Sequence, residues 1–106
     1  MSIKLAILKS GETIIADIKE LVSEEKICGY ILDNPQAIVI KRETLLLENQ
    51  EESNVSRGEI KVSLSPWIIL TSEKQISISP DYIATIVDPI ESVKQMYEEK
   101  VNGQSD

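Results

Sequence analysis

Apolar and polar residues alternate in short runs along most of this chain, and turn signals close the runs at intervals of roughly 8–12 residues. Side chains on a strand change face with period two, so this rhythm constrains the fold more than any other feature. It calls for short antiparallel strands, not a helical bundle. Ile3, Leu5 and Ile7 alternate, and Lys9-Ser10-Gly11-Glu12 follows as a tight hairpin turn with Gly11 free to take a positive φ. Residues 13–22 fit two templates. Ile14, Ile15, Ile18, Leu21 and Val22 make a helical stripe, whereas Ile14, Ala16, Ile18 and Val22 make a strand face. The neighbouring strands and the short turn before it favour a long second strand.

Ser23-Glu24-Glu25-Lys26 is the next polar turn, and Ile27–Leu32 the next apolar run. Asp33-Asn34-Pro35 is expected to interrupt it, because proline has no N–H for a ladder and restricts the residue before it. Gln36–Arg42 resumes the run, Leu45, Leu46 and Leu47 can extend it, and residues 48–58 read as a long polar loop. Ile60, Val62 and Leu64 alternate, followed by Ser65-Pro66 and the apolar Trp67-Ile68-Ile69-Leu70. After a turn at Ser72-Glu73-Lys74, Ile76 and Ile78 alternate, Pro80-Asp81-Tyr82 fits a single 3₁₀ turn, and Ile83–Val87 is the last strand.

The period then changes. Asp88 is placed to cap a helix, Pro89 suits its first position, and Glu91 completes a capping box. Ile90, Val93, Met96, Tyr97 and Val101 share one helical face, and Asn102-Gly103 supplies a stop. The prediction is one domain: a small all-β, SH3-like or Sm-like bent antiparallel barrel over 1–88, a helix over 89–101 and a frayed tail over 102–106. Folded compactly, 106 residues give a radius of gyration of about 13 Å. With only 4% aromatic residues, Ile, Leu and Val must supply the core.

Much chemistry is missing from the residue inventory. The chain has no histidine, which removes Ser-His-Asp triads and histidine metal ligands. Cys28 is the single cysteine, so no internal disulfide or multi-cysteine metal site forms. Within an apolar run Cys28 reads as a small core residue. Ser23-Glu24-Glu25-Lys26 matches S-x-x-K but lacks the companion motifs of penicillin-recognising enzymes, and Asn54-Val55-Ser56 matches a glycosylation acceptor without a signal peptide. Glu24/Glu25, Glu51/Glu52 and Glu98/Glu99 are sequence neighbours that read as solvated charge. No P-loop, EF-hand or dinucleotide string occurs. The expectation is a protein without catalysis, cofactor or metal, soluble, cytoplasmic and without a membrane span.

Charge bears on partners. Eighteen acids against eleven bases give −7, and both halves are acidic: 10 against 6 over residues 1–53 and 8 against 5 beyond. RNA is thereby disfavoured though not removed, since a local basic patch can sit on an acidic protein. Lys41 and Arg42, with Arg57 and Lys61 across the loop, are the one basic grouping, and pairing of the flanking strands would bring them together. With Tyr30 beside them they would grip a single strand by charge and stacking. The plainer reading is that they end a strand and keep it soluble. Trp67 reads equally as a core or an interface anchor. Short strands with exposed edges favour a homo-oligomer built by edge pairing.

Leu8, Gly11, Ile14, Ala16 and Ile18 resemble the first motif of the Sm-like family, small bent five-stranded barrels that assemble edge to edge into rings. Ile83-Ala84-Thr85-Ile86-Val87 is similar to the second motif, and Pro80-Asp81-Tyr82 to the 3₁₀ link of SH3-like barrels. The chain also looks like short Sm-like proteins of marine tailed phages. It departs at Ala16 and Ala84, where the family has glycine, at Ile83, where an arginine is expected, and at Val22, where the RNA-contacting aspartate would stand. Its helix is C-terminal, not N-terminal. The resemblance implies an oligomeric binding module, RNA-associated in the family. The alternative is a structural or adaptor protein, phage-encoded in that setting, whose partner is protein.

Overall fold

The computed structural model describes residues 2–43 and 59–104. Residues 44–58, including Leu45–Leu47 and the polar loop expected at 48–58, lie outside them, as do residues 105 and 106. Six strands form one antiparallel sheet: β1 (Ile3–Leu8), β2 (Thr13–Ser23), β3 (Lys26–Glu43), β4 (Glu59–Pro66), β5 (Gln75–Ile78) and β6 (Ile83–Val87). A 3₁₀ turn (Pro80–Tyr82) precedes β6, and one helix, α1 (Glu91–Gln104), ends the described chain. The order across the sheet is β4-β3-β2-β1-β6, with β5 also on β3.

Local chemistry accounts for the turns. Gly11 takes φ 97°, and the Gly11 N–H donates to the Leu8 carbonyl at 2.9 Å to close the β1–β2 hairpin. The Ser79 hydroxyl accepts from the Asp81 N–H to cap the 3₁₀ turn. Residues 13–22 are strand throughout, which settles their double pattern. The β2–β3 turn is less comfortable. Glu24 and Glu25 sit at φ 52° and 65°, positions where glycine or asparagine costs least.

β3 departs from expectation. Asp33-Asn34-Pro35 does not break the strand; it is a bulge within a continuous strand of 18 residues. Asp17 pairs with Asp33 but Ile15 pairs with Gln36, so two residues of β3 oppose Ala16 alone. Asn34, at φ 52°, takes the left-handed conformation that asparagine tolerates. Proline is accommodated because a bulge already leaves the ladder unpaired there. On the opposite edge β3 changes partner at the same place. Tyr30–Asp33 pair with β5 and Gln36–Glu43 with β4. Between the two, the chain makes an excursion tied to the bulge at both ends: the Trp67 N–H donates to the Pro35 carbonyl at 3.1 Å, and the Asn34 N–H to the Lys74 carbonyl. Trp67–Leu70 therefore form a turn, not an extension of β4.

The two sheet faces carry separate cores. Ala6, Leu8, Ile14, Ala16, Ile18 and Leu32 are buried on the face toward which the sheet curls, with Tyr30, Trp67, Ile78, Ile83 and Ile86 against them. Ile3, Ile15 and Leu64 are buried on the other face beneath Tyr97, with Val93, Met96 and Val101 of α1 completing the cover. Lys100 fixes the far end of α1 by donating to the Leu64 carbonyl at 2.8 Å. The expected helical face thus packs as foreseen except at Ile90, which is 69% exposed.

The expected fold class holds in its coarser part, a mostly antiparallel β-sheet with one C-terminal helix, and no ladder closes the sheet among the described residues. Two expectations are corrected. The radius of gyration is 16.9 Å with extents of 62 × 33 × 26 Å, longer than a compact sphere. The length of β3 explains this, since 18 extended residues span about 60 Å when straight. Finally, α1 starts at Glu91, because the Asp88 carboxylate pairs with the Lys4 ammonium instead of capping, and it runs through Asn102 and Gly103 to Gln104.

The β2–β3 turn yields a prediction. Replacing Glu24→Asn together with Glu25→Gly relieves two left-handed glutamates and raises stability by about 1–2 kcal/mol in urea unfolding. An unchanged midpoint would show that the turn stores no strain.

Candidate functional site

Strand pairing around residues 44–58 brings Lys41 opposite Lys61 in the β3–β4 ladder, on one face of the sheet. Arg42 follows, paired through its backbone with Ile60, while Arg57 lies outside the described residues. Like charges directly across a ladder are unfavourable, and here two lysines share that position. Tyr30 is elsewhere. It stands eleven positions back along β3, about 35 Å on a straight strand, and pairs with Glu20 and Ile78. The expected grouping therefore divides, with the basic pair at one end and the aromatic ring at the other.

Tyr30 has basic neighbours that sequence reasoning missed. With Lys4, Ile18, Lys19, Val22 and Ile86 it lines an open groove of about 450 Å³. The groove lies between β6 and the protruding half of the β2–β3 hairpin, where closure of the sheet would have filled it. Lys4 is already paired with Asp88. Nearby, Leu21, Val22 and Ile27 are 38%, 59% and 43% exposed at the hairpin's end. Cys28 is exposed there as well, contrary to its reading as a core residue, and its thiol donates to the Leu21 carbonyl. Ser23–Lys26 form a hairpin turn, which is no setting for the S-x-x-K nucleophile.

A third feature sits under α1. The Tyr97 hydroxyl donates to the Asp33 carbonyl at 2.7 Å and accepts from the Asp17 N–H at 3.3 Å. It thus stands between two backbone groups facing each other across the bulged ladder. Beside it is a cavity of about 100 Å³ lined by Asp17, Asp33, Asn34 and Glu98 among others. No group of three or more Asp, Glu or Cys among the described residues is arranged to hold a metal ion.

Residues 1–102, from the first strand to nearly the end of α1, match a single family model. The chain belongs to DUF6561, a family of unknown function. No curated protein matches it. The matched span takes in both edges of the sheet, the lysine pair, the Tyr30 groove and the Tyr97 cavity, so all these features fall within the family's extent. No helix among the described residues is long and apolar enough to cross a membrane.

Burial above all pushes the Tyr97 hydroxyl up from 10.0 to about 12; the hydrogen bond from Asp17 opposes the rise, and the Asp33 and Asp17 carboxylates add to it. The sign follows directly. Below pH 10 the ring is neutral whether folded or unfolded, so stability does not depend on it. Between pH 10 and about 12 the unfolded chain loses the proton first, and stability falls by about 1.4 kcal/mol per pH unit. Tyr97→Phe abolishes that part of the alkaline decline, and at neutral pH it costs about 1–3 kcal/mol through the orphaned Asp17 N–H and Asp33 carbonyl. Urea unfolding of both proteins from pH 7 to 12 checks it; parallel alkaline curves would refute the assignment.

Proposed function

We propose that this protein is a non-catalytic, homo-oligomeric binding module, an Sm-like or SH3-like bent barrel whose copies join by strand addition. β6 carries the reading. It pairs only with β1, and its five residues, Ile83-Ala84-Thr85-Ile86-Val87, include no charge and no proline. Exposed edges normally bear lysine, proline or bulges that discourage pairing; β6 has neither lysine nor proline, and its one irregularity is the unpaired Ala84 between Ile83 and Thr85. At the opposite end of the strand order stands β4, whose strand partner among the described residues is β3. A head-to-tail contact between unlike edges repeats from copy to copy and closes as a ring when the rotation permits. β4 and β5 lie end to end along β3, so the sheet counts as five strands with one interrupted, and the 3₁₀ turn ahead of β6 is in keeping with the Sm-like resemblance. The absence of histidine supports the non-catalytic part.

For the assembly's ligand, the net charge of −7 and the exposed Ile68-Ile69-Leu70 turn favour protein. RNA is the second reading, and it rests on the placement of Lys41 opposite Lys61.

Light scattering after gel filtration gives the mass directly at low and moderate salt. The expected result is about five to seven protomers, falling to one in Thr85→Lys, which puts a charge on the β6 edge. A wild-type mass of 11.9 kDa, that of one chain, would overturn the oligomer. In the same samples an RNA ligand would appear as oligonucleotide binding that weakens with salt and with Lys41→Glu, and its absence leaves protein as the ligand.

A further inference from the structure

Gln36 is the one buried polar side chain among the described residues, at 3% exposure. It sits just past the bulge, paired with Ile15 on one side and Pro66 on the other, and its side-chain carbonyl oxygen has no hydrogen-bond partner. A buried acceptor left unpaired is costly, and a donor restores the loss. Gln36 also forms part of the wall of a cleft of about 150 Å³, apolar on the side of Pro35, Pro66, Trp67 and Ile76 and polar on the side of Asn34, Thr71, Ser72, Glu73 and Lys74. The cleft is the space enclosed by the excursion from Trp67 to Lys74, which the Trp67–Pro35 and Asn34–Lys74 backbone hydrogen bonds hold against β3.

Size and lining define what fits. A cleft near 150 Å³ holds roughly five waters or one six-membered ring, and a single water would satisfy Gln36 while leaving the apolar side without a packing partner. The terminal amide torsion of glutamine is broad and two-fold, so the oxygen can turn toward an occupant of the cleft at little cost. Beside the cleft, Ile68, Ile69 and Leu70 are 42%, 75% and 94% exposed, an apolar rim among the described residues.

We propose that this cleft binds a flat apolar ring carrying one hydrogen-bond donor, the chemistry of a phenol or of a tyrosine side chain, with the ring against Trp67 and the donor on Gln36. Amphipathic aromatic groups combine such a body with such a handle. The site lies where the end of β4 meets the start of β5, and the inference does not rest on the proposed oligomer.

Trp67 is the only tryptophan, so its fluorescence, excited at the red edge where phenols are dark, reports on this cleft alone. The probes are p-cresol and, as its counterpart without a donor, toluene. The expected result is a saturable change with p-cresol at a midpoint about tenfold below that of toluene, as one hydrogen bond provides. In Gln36→Leu the preference disappears. In the wild-type protein, the Gln36 side-chain amide resonance moves with p-cresol and not with toluene, a readout independent of how the variant folds. Equal midpoints for the two probes, no saturable change, or a preference that survives Gln36→Leu would overturn the proposal. A capped Gly-Tyr-Gly peptide separates the sources: binding comparable to p-cresol supports a side chain presented by a partner protein, and exclusion of the peptide while p-cresol binds supports a free phenolic ligand.

Discussion

One hydroxyl group holds the architecture in register. Where Asp17 pairs with Asp33 at the edge of the β3 bulge, the Tyr97 hydroxyl bridges the two strands, accepting from the Asp17 N–H and donating to the Asp33 carbonyl. The bulge matters because it divides an 18-residue strand into two segments that serve different neighbours, β5 before it and β4 after it. Bulges bend strands and increase twist; on one face of the sheet Leu8, Ile14 and Leu32 are buried, and on the other Ile3, Ile15 and Leu64 are buried with Tyr97 of α1. Helix and sheet therefore depend on each other. Tyr97 can reach the bulge only if α1 is docked, and the bulge has its polar groups satisfied only if Tyr97 arrives.

The ends of the sheet give the proposed function its physical basis. Among the described residues no ladder closes the sheet, β4 and β6 stand at the ends of the strand order, and an open groove lies between Tyr30 and Ile86. A chain with an aliphatic core and few aromatics has two routes to cover such edges: longer loops of its own or another copy. The uncharged sequence of β6 fits the second route. The exposed aliphatic turn at Ile68–Leu70 belongs to a different surface, tied to the bulge through Trp67 and Lys74, so the same irregularity in β3 shapes both the assembly edges and the Trp67 cleft.

Elements specified by neighbouring residues were legible in the sequence. The alternation of Ile3, Leu5 and Ile7, the glycine turn, the 3₁₀ turn and the strand Ile83–Val87 all stand where local pattern put them. Elements decided by distant contacts were not. Pro35 looked like a break because proline cannot join a ladder, and nothing nearby in sequence announces that Tyr97, 64 residues beyond Asp33, will supply a hydroxyl at that bulge. Asp88 is a good cap in isolation, but Lys4, 84 residues away, captures its carboxylate and the helix starts later. The candidate site divides on the same principle. Lys41 and Lys61 flank one loop, so strand pairing alone brings them together, whereas grouping Tyr30 with them required the chain to reverse at Pro35, and it runs straight on.

The Tyr97 hydroxyl ties α1 to the β2–β3 ladder beside the bulge. The most direct measurement is amide hydrogen exchange at Asp17, whose N–H has the Tyr97 hydroxyl as its acceptor. The structure predicts that this amide is protected as strongly as its buried neighbours Ala16 and Ile18, opening only with undocking of α1. Exchange at Asp17 as fast as at an exposed edge amide, with Ala16 and Ile18 still protected, would show that the hydroxyl does not bridge the strands and that something else holds the bulge.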